Sequence, residues 1–429
     1  MKNAFALLIT LTVIIGLVQY IFVFKHELTL FYGEATNALA GVFFRPSITE
    51  VELHKTFAEA ATTTRKVRIL LVPGHEPTWG GTEYKSAIER DIVVKIGKEI
   101  ANIFSAESHY QIIVARNELS WQSYLLDYFQ TEKENILNWR KLKQEEMNKL
   151  VSEGLVRVAP GVLHNNAPDE AVLHLYGINK WASEKDFDIV LHLHINDNPR
   201  RNVSLPGEYR GVTIYVPEEQ YSNALASKSM ADALSKKLFQ IVPKSTMPKE
   251  SVGVVPDQDL IAIGRYNTSD TVSLLIEYGY IYEPMYRTKE MRDFIAKEFA
   301  YETTLGLKSF FAKDNNSNKG KYEKERPVVS YIWQNELTDK NYPQTDVLAM
   351  QIALSASNLY HLASSATPCP LTGFIGPCTK QALANFQKAV GLFANGNFNE
   401  ETREIFNRLF GPQGDGVIRQ IEAAQNFAF

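Results

Sequence analysis

The sequence has little cysteine, no strong excess of either charge and no compositional bias. Only two of its 429 residues are Cys, so a zinc site built from cysteine alone and an iron–sulfur cluster are excluded. Lys and Arg number 45 and Asp and Glu number 49, so the net charge is −4 and no overall basic character indicates nucleic-acid binding. Hydrophobic residues make up 45% and charged residues 22%, which excludes a wholly disordered or fibrous chain. The length predicts two to three domains at ~150 residues each.

The first residues contain a long uncharged run. Residues 4–24 read AFALLITLTVIIGLVQYIFVF, and a helix of about 20 apolar residues spans a bilayer core. The run is longer than the core of a typical cleaved signal peptide, which is the alternative interpretation. We therefore expect an uncleaved signal anchor or transmembrane helix over residues 1–26, followed by a juxtamembrane stalk over 27–65.

The two cysteines lie close together, in the segment CPLTGFIGPC. A pair such as Cys369 and Cys378 within one short loop favours a disulfide in an oxidising compartment. Two free thiols are the alternative.

Strand and helix patterns alternate from residue 66 to residue 312. This order predicts an α/β domain with a mostly parallel, twisted sheet flanked by helices. The predicted strands are 67–72, 110–115, 187–195, 211–216, 259–263 and 273–276. The predicted helices are 87–104, 131–153 (exposed and highly charged), 223–239 and 289–311.

A second and smaller unit follows a polar segment. Residues 313–326 are charged and have no apolar face, so we assign 313–344 to a linker. Apolar residues at helical spacing over 345–412 predict a small all-α domain of three helices. The tail, 413–429, has no assignment.

Four side chains that can bind a metal or transfer a proton lie where predicted strands end or a predicted helix begins. Ligands of open parallel sheets bind outside the carboxyl ends of the strands. His75, His194 and Glu277 end three predicted strands, and Glu89 begins a predicted helix. Two His and one Glu form a hydrolytic zinc set that leaves a position for water, and Glu277 is then a candidate general base. Taken singly, each has an ordinary structural explanation as a turn residue, a helix-start acid, a core histidine or a partnered buried acid.

These residues together resemble a known family. The sequence contains Pro73-Gly74-His75, then Gly80-Gly81, Glu89-Arg90-Asp91, His194-Ile195-Asn196 and, near the end, Leu275 to Tyr280 (LIEYGY). Their order and approximate spacing over 67–311 are similar to the zinc-dependent N-acetylmuramoyl-L-alanine amidases of the "amidase 3" type. The resemblance implies that His75, Glu89 and His194 hold one Zn²⁺ per chain and that Glu277 is the catalytic acid/base. It implies cleavage of the amide between N-acetylmuramic acid and L-alanine in peptidoglycan.

The chain departs from the family pattern at three places. Glu76 to Trp79 separate His75 from Gly80-Gly81, where the family usually continues directly with two glycines. His192 stands where the family usually has a small polar residue, so it is a candidate supporting residue or competing ligand. The charged insertion 119–184 is a candidate lid or binding site for a protein activator. Arg90 and Asn196, and the loop that includes Arg200 and Arg201, are further candidate neighbours of the substrate.

The C-terminal unit resembles a second family. Gln351 and Leu354, then Gly373 to Thr379 (GFIGPCT), then Phe386-Gln387 are similar to peptidoglycan-binding domains of the three-helix type. The glycines suit a tight loop, and Thr379 can cap the next helix. An unrelated helical module is the alternative.

Both resemblances and the N-terminal run indicate a cell-envelope protein whose soluble domains are extracytoplasmic, in the periplasm or at the cell surface. The expected partners are peptidoglycan and, through the N-terminal helix, the membrane; no nucleic acid is expected. Two other functions stay open at this point. One is a zinc peptidase that cuts within the stem peptide, and the other is a non-catalytic, membrane-tethered wall-binding protein.

Overall fold

The structure, a computed structural model, describes residues 48–159, 167–263, 271–312, 326–360 and 369–414. The predicted membrane segment, the first part of the predicted stalk and most of the tail lie outside these ranges. Within the described ranges, no helix is both long enough and apolar enough to cross a membrane. The described end of the stalk is a helix whose Leu53 and Phe57 are buried, and the Phe57 ring stacks on Phe311 at 4.8 Å.

The centre of the molecule is a six-stranded sheet. The described residues contain the strands β1 (Val67–Pro73), β2 (Glu83–Tyr84), β3 (Ala87–Ile88), β4 (Tyr110–Val114), β5 (Ile189–Asn196), β6 (Thr213–Pro217), β7 (Val254–Asp257) and β8 (Val272–Tyr280). The sheet order is β4-β1-β5-β8-β6-β7, and β2 and β3 form a separate hairpin. Every neighbouring pair in the sheet is parallel except β6 with β8. The predicted mostly parallel sheet is confirmed, and β1, β5 and β8 end at the same edge.

The predicted strand at 259–263 is wrong. The edge strand is β7, Val254–Asp257, and residues 261–263 form a turn. The Asp257 carboxylate ends the strand because its Oδ1 accepts hydrogen bonds from the N–H groups of Asp259 and Leu260, both at 2.8 Å. The apolar residues that suggested a strand are used differently: Ala262 and Ile263 pack on Tyr215 and Leu275.

Helices cover both faces of the sheet. The described helices are α1 (Glu50–Glu59), α2 (Glu89–Phe104), α3 (Ser123–Thr131), α4 (Lys133–Ser152), α5 (Asp169–Glu184), α6 (Ala224–Ile241), α7 (Lys289–Ala312), α8 (Thr345–Ala356), α9 (Pro377–Ala389) and α10 (Glu400–Phe410). Ile69 and Leu71 of β1 pack in the core that contains α2, α6 and α7, whereas Leu70 and Val72 face α3 and α5. This alternation explains why β1 is apolar at nearly every position, as expected for a strand buried on both sides.

The described part of the segment 119–184, which was predicted as an insertion, contains three helices. Its α3 and α5 bury Leu125, Phe129 and Tyr176 against the sheet and so form one layer of the fold. The charged stretch predicted as one exposed helix is divided between the end of α3 and α4. In α4 the buried residues are Ile136, Met147 and Leu150, and most of the remaining surface faces solvent.

The C-terminal region is helical, as predicted, and packs on the α/β domain. Its core is continuous with the core around α6 and α7. Part of the segment predicted as a linker contributes to this packing: Trp333 is 1% exposed, and Tyr331 lies edge-on to Phe294 of α7 at 5.4 Å. Cys369 and Cys378 form a disulfide with a Cα–Cα distance of 6.0 Å.

Candidate metal centre and catalytic site

The loop after β1 carries the first candidate ligand. β1 ends at Pro73, and His75 follows with a positive φ of 68°. Gly74 lies against the His194 ring so closely that an added Cβ would come within 2.3 Å of it. Gly81, with φ 82°, packs on the other side of His75, where a Cβ would be 2.9 Å from His75 Cδ2. The two glycines therefore let the two imidazole rings approach each other.

Glu89 lies between the two histidines at the first residue of α2. Its Oε2 accepts a hydrogen bond from the N–H of Thr82 at 2.8 Å, and its Oε1 accepts one from the N–H of Ile195 at 3.0 Å. Oε1 also lies 2.9 Å from His75 Nε2 and 3.1 Å from His194 Nδ1. The carboxylate is 2% exposed, so its orientation is fixed by the hairpin on one side and by β5 on the other.

His75, Glu89 and His194 form a three-residue cluster suited to a metal ion. One ligand atom from each lies within 4.8 Å of the others, and the two imidazole rings are nearly perpendicular at 75°, with centroids 4.9 Å apart. Donors around a tetrahedral zinc ion, each about 2.0–2.1 Å from it, are separated by about 3.3 Å. The donor types and their spacing thus fit a zinc site with a free position.

The ionisation of the cluster favours metal binding. Burial alone would raise the pKa of Glu89, but the charges and hydrogen bonds of His75 and His194 outweigh it and hold this pKa well below its usual range. Burial lowers the pKa of His194, and the Glu89 carboxylate opposes that effect. An ionised carboxylate is the form of Glu89 that a divalent cation binds.

Glu277 lies next to the cluster on the neighbouring strand. It is the register partner of His194 across β5 and β8. Its Oε2 is buried and has no hydrogen-bond partner among the described residues. Burial raises the pKa of Glu277 well above its ordinary value, and the carboxylates of Glu89 and Glu250 raise it further. A carboxyl group in this condition can hold a proton near neutral pH.

Asn196 is held by a buried acid that the sequence did not reveal. Its Nδ2 donates to Glu250 Oε1 at 2.8 Å, and Glu250 is 1% exposed. Glu250 also accepts hydrogen bonds from the hydroxyls of Tyr215, Ser245 and Tyr280. Glu250 stands in a loop about 50 residues from Asn196, so no local pattern could have indicated this network.

His192 lies outside the three-residue cluster. It is fully buried in β5, and neither ring nitrogen has a hydrogen-bond partner within the described part of the chain. Burial, together with the charge of His194, lowers the pKa of His192 to about 3. The ring is therefore neutral and lies between Val72 and Leu275 in the sheet register.

The candidate arginines differ in their availability to a substrate. Arg90 donates to the Gly80 carbonyl at 3.1 Å and to Glu83 at 2.6 Å, so it secures the loop beside the cluster. The Arg201 side chain is 2% exposed and bonds Asp197 and several backbone carbonyls. Arg200, in contrast, is exposed. Arg201 thus stabilises the loop after β5 through these hydrogen bonds and is not available to a substrate.

A family model decides the assignment. The model described as N-acetylmuramoyl-L-alanine amidase matches residues 69–309, more than half of the chain. The chain belongs to the N-acetylmuramoyl-L-alanine amidase family. A second model, that of a peptidoglycan binding domain, matches residues 343–406. No curated protein matches the chain.

Several solved amidase structures are similar to part of the chain. Ami1 from Mycobacterium smegmatis is 13% identical, with a TM-score of 0.38 over 58% of this chain and 98% of its own. The CwlD amidase from Clostridioides difficile, solved with the GerS lipoprotein, is 18% identical, with a TM-score of 0.39 over 58% and 100%. AmiC2 of Nostoc punctiforme is 13% identical, with a TM-score of 0.35 over 58% and 98%. At these low values, the assignment rests on the family model.

The amidase is accordingly a peptidoglycan hydrolase that cleaves the amide between N-acetylmuramic acid and L-alanine. The family assignment favours this activity over the stem-peptide peptidase and the non-catalytic wall-binding protein. Its second domain supports peptidoglycan as the partner. Because the substrate is the cell wall, the amidase acts outside the cytoplasm.

Proposed function

We propose that the amidase is zinc-dependent, that His75, Glu89 and His194 hold one zinc ion per chain, and that Glu277 is the acid/base. One observation carries the proposal. Two imidazole nitrogens and a carboxylate oxygen lie within 4.8 Å of one another, and His194 of this set is in register with Glu277, whose Oε2 is unpartnered among the described residues.

The chemistry that zinc supplies in such a site is polarisation of a carbonyl and a lowering of the pKa of water to about 7. The proton transfers are carried out by a residue of the chain itself. Glu277 accepts a proton at Oε2 from the attacking water and returns it to the departing nitrogen of L-alanine. An amine is a poor leaving group, so the second transfer is as necessary as the first. The burial that raises the pKa of Glu277 also suits the group to hold this proton.

Three other side chains would support the site without reacting. Asn196 donates a hydrogen bond to Glu250 at 2.8 Å, which fixes the start of the loop that follows β5. Arg90 keeps Gly80 in place and so supports the wall against which His75 packs. His192, neutral and buried behind His194, supports the sheet beneath the site and lies outside the proposed ligand set.

The proposal includes the position of the protein in the cell. Residues 1–26 anchor it in the membrane as an uncleaved helix, and the domains from residue 66 onward face the wall. The uncharged run at 4–24 supports this. Membrane fractions should retain the full chain after washing with high salt. Release by that wash, or a mature protein that begins after residue 40, would contradict it.

The proposal also includes a protein activator that binds the 119–184 segment. On the outer face of α4, Leu142 is 63% exposed, so a partner bound at this face would contact it. A Leu142→Asp variant should keep the activity of the purified protein and lose wall hydrolysis in cells. Equal hydrolysis in cells by both proteins would contradict an activator at this face.

The test of the reaction uses the full chain with purified peptidoglycan and mass spectrometry of the released products. Intact stem peptides that begin at L-alanine are expected, together with one zinc per chain by elemental analysis. Activity should disappear on treatment with a strong chelator and return with zinc. Products cut within the stem, or full activity without bound metal, would contradict the proposal.

A further inference from the structure

The residue after His75 is a buried acid with two defined partners. Glu76 is 5% exposed, and a buried carboxylate requires hydrogen-bond donors. Its Oε1 lies 2.7 Å from His174 Nδ1, and its Oε2 accepts a hydrogen bond from Trp121 Nε1 at 2.6 Å. Glu76 is part of the stretch in which the chain departs from the P-G-H-G-G pattern, so this arrangement is a property of this sequence.

Both partners of Glu76 belong to the 119–184 segment. Trp121 precedes α3, and His174 lies within α5. The His174 ring stacks on Phe129 of α3 with a centroid distance of 4.3 Å and an angle of 21°. Trp121 meets the same Phe129 edge-on at 5.7 Å. The aromatic packing fixes both donors, and the segment reaches the loop of His75 through them.

Arg116 holds the other side of this loop. Its side chain is 1% exposed, and its Nε donates to the Pro73 carbonyl at 2.9 Å. Its guanidinium also donates to the carbonyls of Gly74 and Arg90. The residues on both sides of His75 are therefore held by buried hydrogen bonds.

His75 needs such support because of its backbone. Its φ is +68°, in the left-handed region that is unfavourable for a residue with a Cβ atom. Conformations of this kind persist where the surrounding contacts impose them. If the contacts of Glu76 were removed, we expect His75 to relax away from Glu89 and His194.

We propose that Glu76 is a positioning residue for the metal centre, and that His174 is the contact through which the 119–184 segment controls the affinity of that centre for zinc. The inference rests on the proposed function, because it takes His75 as a ligand. A purely structural tie between α5 and the sheet is the rival explanation. It predicts a loss of stability without a change in zinc affinity.

The experiment measures zinc affinity of the full-length apo protein by competition with a chromophoric chelator. His174→Phe keeps the stacking on Phe129 and removes the donor to Glu76. We expect its zinc dissociation constant to rise about 10-fold or more, the range seen when residues that orient metal ligands are removed. His174→Asn offers an amide N–H near the position of Nδ1, so it should restore most of the affinity.

Two further variants separate positioning from stability. Trp121→Phe removes the second donor to Glu76 and keeps an aromatic ring, so it should weaken zinc binding in the same direction. Asp188→Asn is the matched control. Asp188 is a buried acid, 2% exposed, at the opposite end of β5, and it accepts hydrogen bonds from Arg68 N and from Arg65. This variant should lower the melting temperature of the apo protein and leave zinc affinity unchanged.

The outcomes distinguish this inference from the proposed function. If His174→Phe and Trp121→Phe bind zinc as tightly as the wild type while His75→Ala loses binding, the positioning role is overturned and the zinc ligands stand. If His75→Ala binds zinc as tightly as the wild type, the ligand assignment is wrong and the positioning role falls with it. Weaker binding by His174→Phe, with recovery in His174→Asn, supports the role.

Discussion

At the scale of single residues, the geometry of the site depends on the two carboxylate oxygens of Glu89, which can only accept hydrogen bonds. The two oxygens of Glu89 each accept a backbone N–H, one from Thr82 and one from Ile195. An amide in the same place would direct its own NH₂ group at one of these donors. The site therefore requires a carboxylate at this position for its geometry as well as for its charge.

A Glu89→Gln substitution tests this requirement. We expect zinc affinity to fall by roughly 100-fold or more, since both a charged ligand and the orientation of the side chain are lost. The unpaired donor should also lower the free energy of unfolding by about 1–3 kcal/mol. Metal titration and urea denaturation of the apo protein measure the two effects. Wild-type zinc affinity in this variant would rule Glu89 out as a ligand.

A second residue-scale prediction concerns pH. Glu298 of α7 is 1% exposed and accepts a hydrogen bond from Val329 N. Burial raises the pKa of Glu298 to about 8, whereas its ordinary value is 4.5. The folded state therefore keeps a proton that the unfolded chain releases above about pH 4.5. The stabilisation is complete below that pH and is lost as the pH rises toward 8, with a slope of at most about 1.4 kcal/mol per pH unit.

Glu298→Gln removes this titration and keeps an acceptor for Val329. Urea denaturation at about pH 5, 7 and 9 should show a smaller fall in stability for the variant than for the wild type. Some dependence should remain, because burial also raises the pKa of Glu302 well above its ordinary value. Parallel pH profiles for the two proteins would show that Glu298 ionises normally in the folded state.

The sequence predicted the candidate site residues better than the residues that support them. His75 follows β1, His194 lies near the end of β5, and Glu89 begins α2. The strand predicted at 273–276 continues to Tyr280, so Glu277 lies within β8, in register with His194. Glu250 contacts Asn196, 54 residues away along the chain, and Arg116 contacts the Pro73 carbonyl, 43 residues away. Their roles depend on tertiary packing, and a pattern within a short window does not contain that information.

At the scale of elements, two predictions were wrong. Apolar residues predicted to form a strand lie in a turn, and a segment predicted as an insertion forms a helical layer on the sheet. The strand predicted at 259–263 has the right residues for a strand, but the Asp257 carboxylate forms a turn before them. The segment 119–184 contains a charged helix that suggested an appendage, yet α3 and α5 cover one face of the sheet. The charged residues of α4 reflect the exposure of that helix alone, whereas the adjacent helices α3 and α5 are packed on the sheet.

Two buried glutamines organise the loops of the C-terminal domain. Gln351 of α8 donates to Thr379 Oγ1 at 2.9 Å and accepts from the N–H groups of Thr372 and Gly373. Gln387 of α9 repeats the arrangement with Thr402 and Gly396. Each glutamine thus ties one helix to the loop before the next, which explains why Gln and Thr accompany the glycines in this sequence.

A Gln387→Ala substitution should therefore cost about 2–3 kcal/mol of unfolding free energy, because it leaves the buried N–H of Gly396 without its acceptor. Gln381→Ala is the control, since Gln381 is exposed on the same helix and should change stability by less than about 0.5 kcal/mol. Urea denaturation followed by tryptophan fluorescence compares the two. Equal effects would show that the loop does not depend on Gln387.

At the scale of the whole molecule, the wall-binding domain packs directly on the catalytic domain. The residues around α6, α7 and α8 form one continuous core. Trp333 contributes to it, with its Nε1 donating to the Asp346 carbonyl at 2.8 Å and its N–H to Asn407. The two domains therefore share one hydrophobic core.

This continuity predicts that the described domains unfold as one unit. Calorimetry of the full chain should show a single main transition, and Trp333→Ala should lower stability by about 3–5 kcal/mol and lower that transition as a whole. Two separate transitions in the wild type would show that the domains are thermodynamically independent.

The most direct test of the account is the activity of a zinc-loaded Glu277→Gln variant. Gln has nearly the shape of Glu but cannot accept and return a proton. We expect the variant to retain one zinc per chain and to release stem peptides from peptidoglycan about 10²–10⁴-fold more slowly than the wild type. The control is Glu298→Gln, which replaces a buried acid remote from the site and should keep the wild-type rate. A zinc-loaded Glu277→Gln protein that cleaves at the wild-type rate would contradict the assignment of Glu277 as the acid/base.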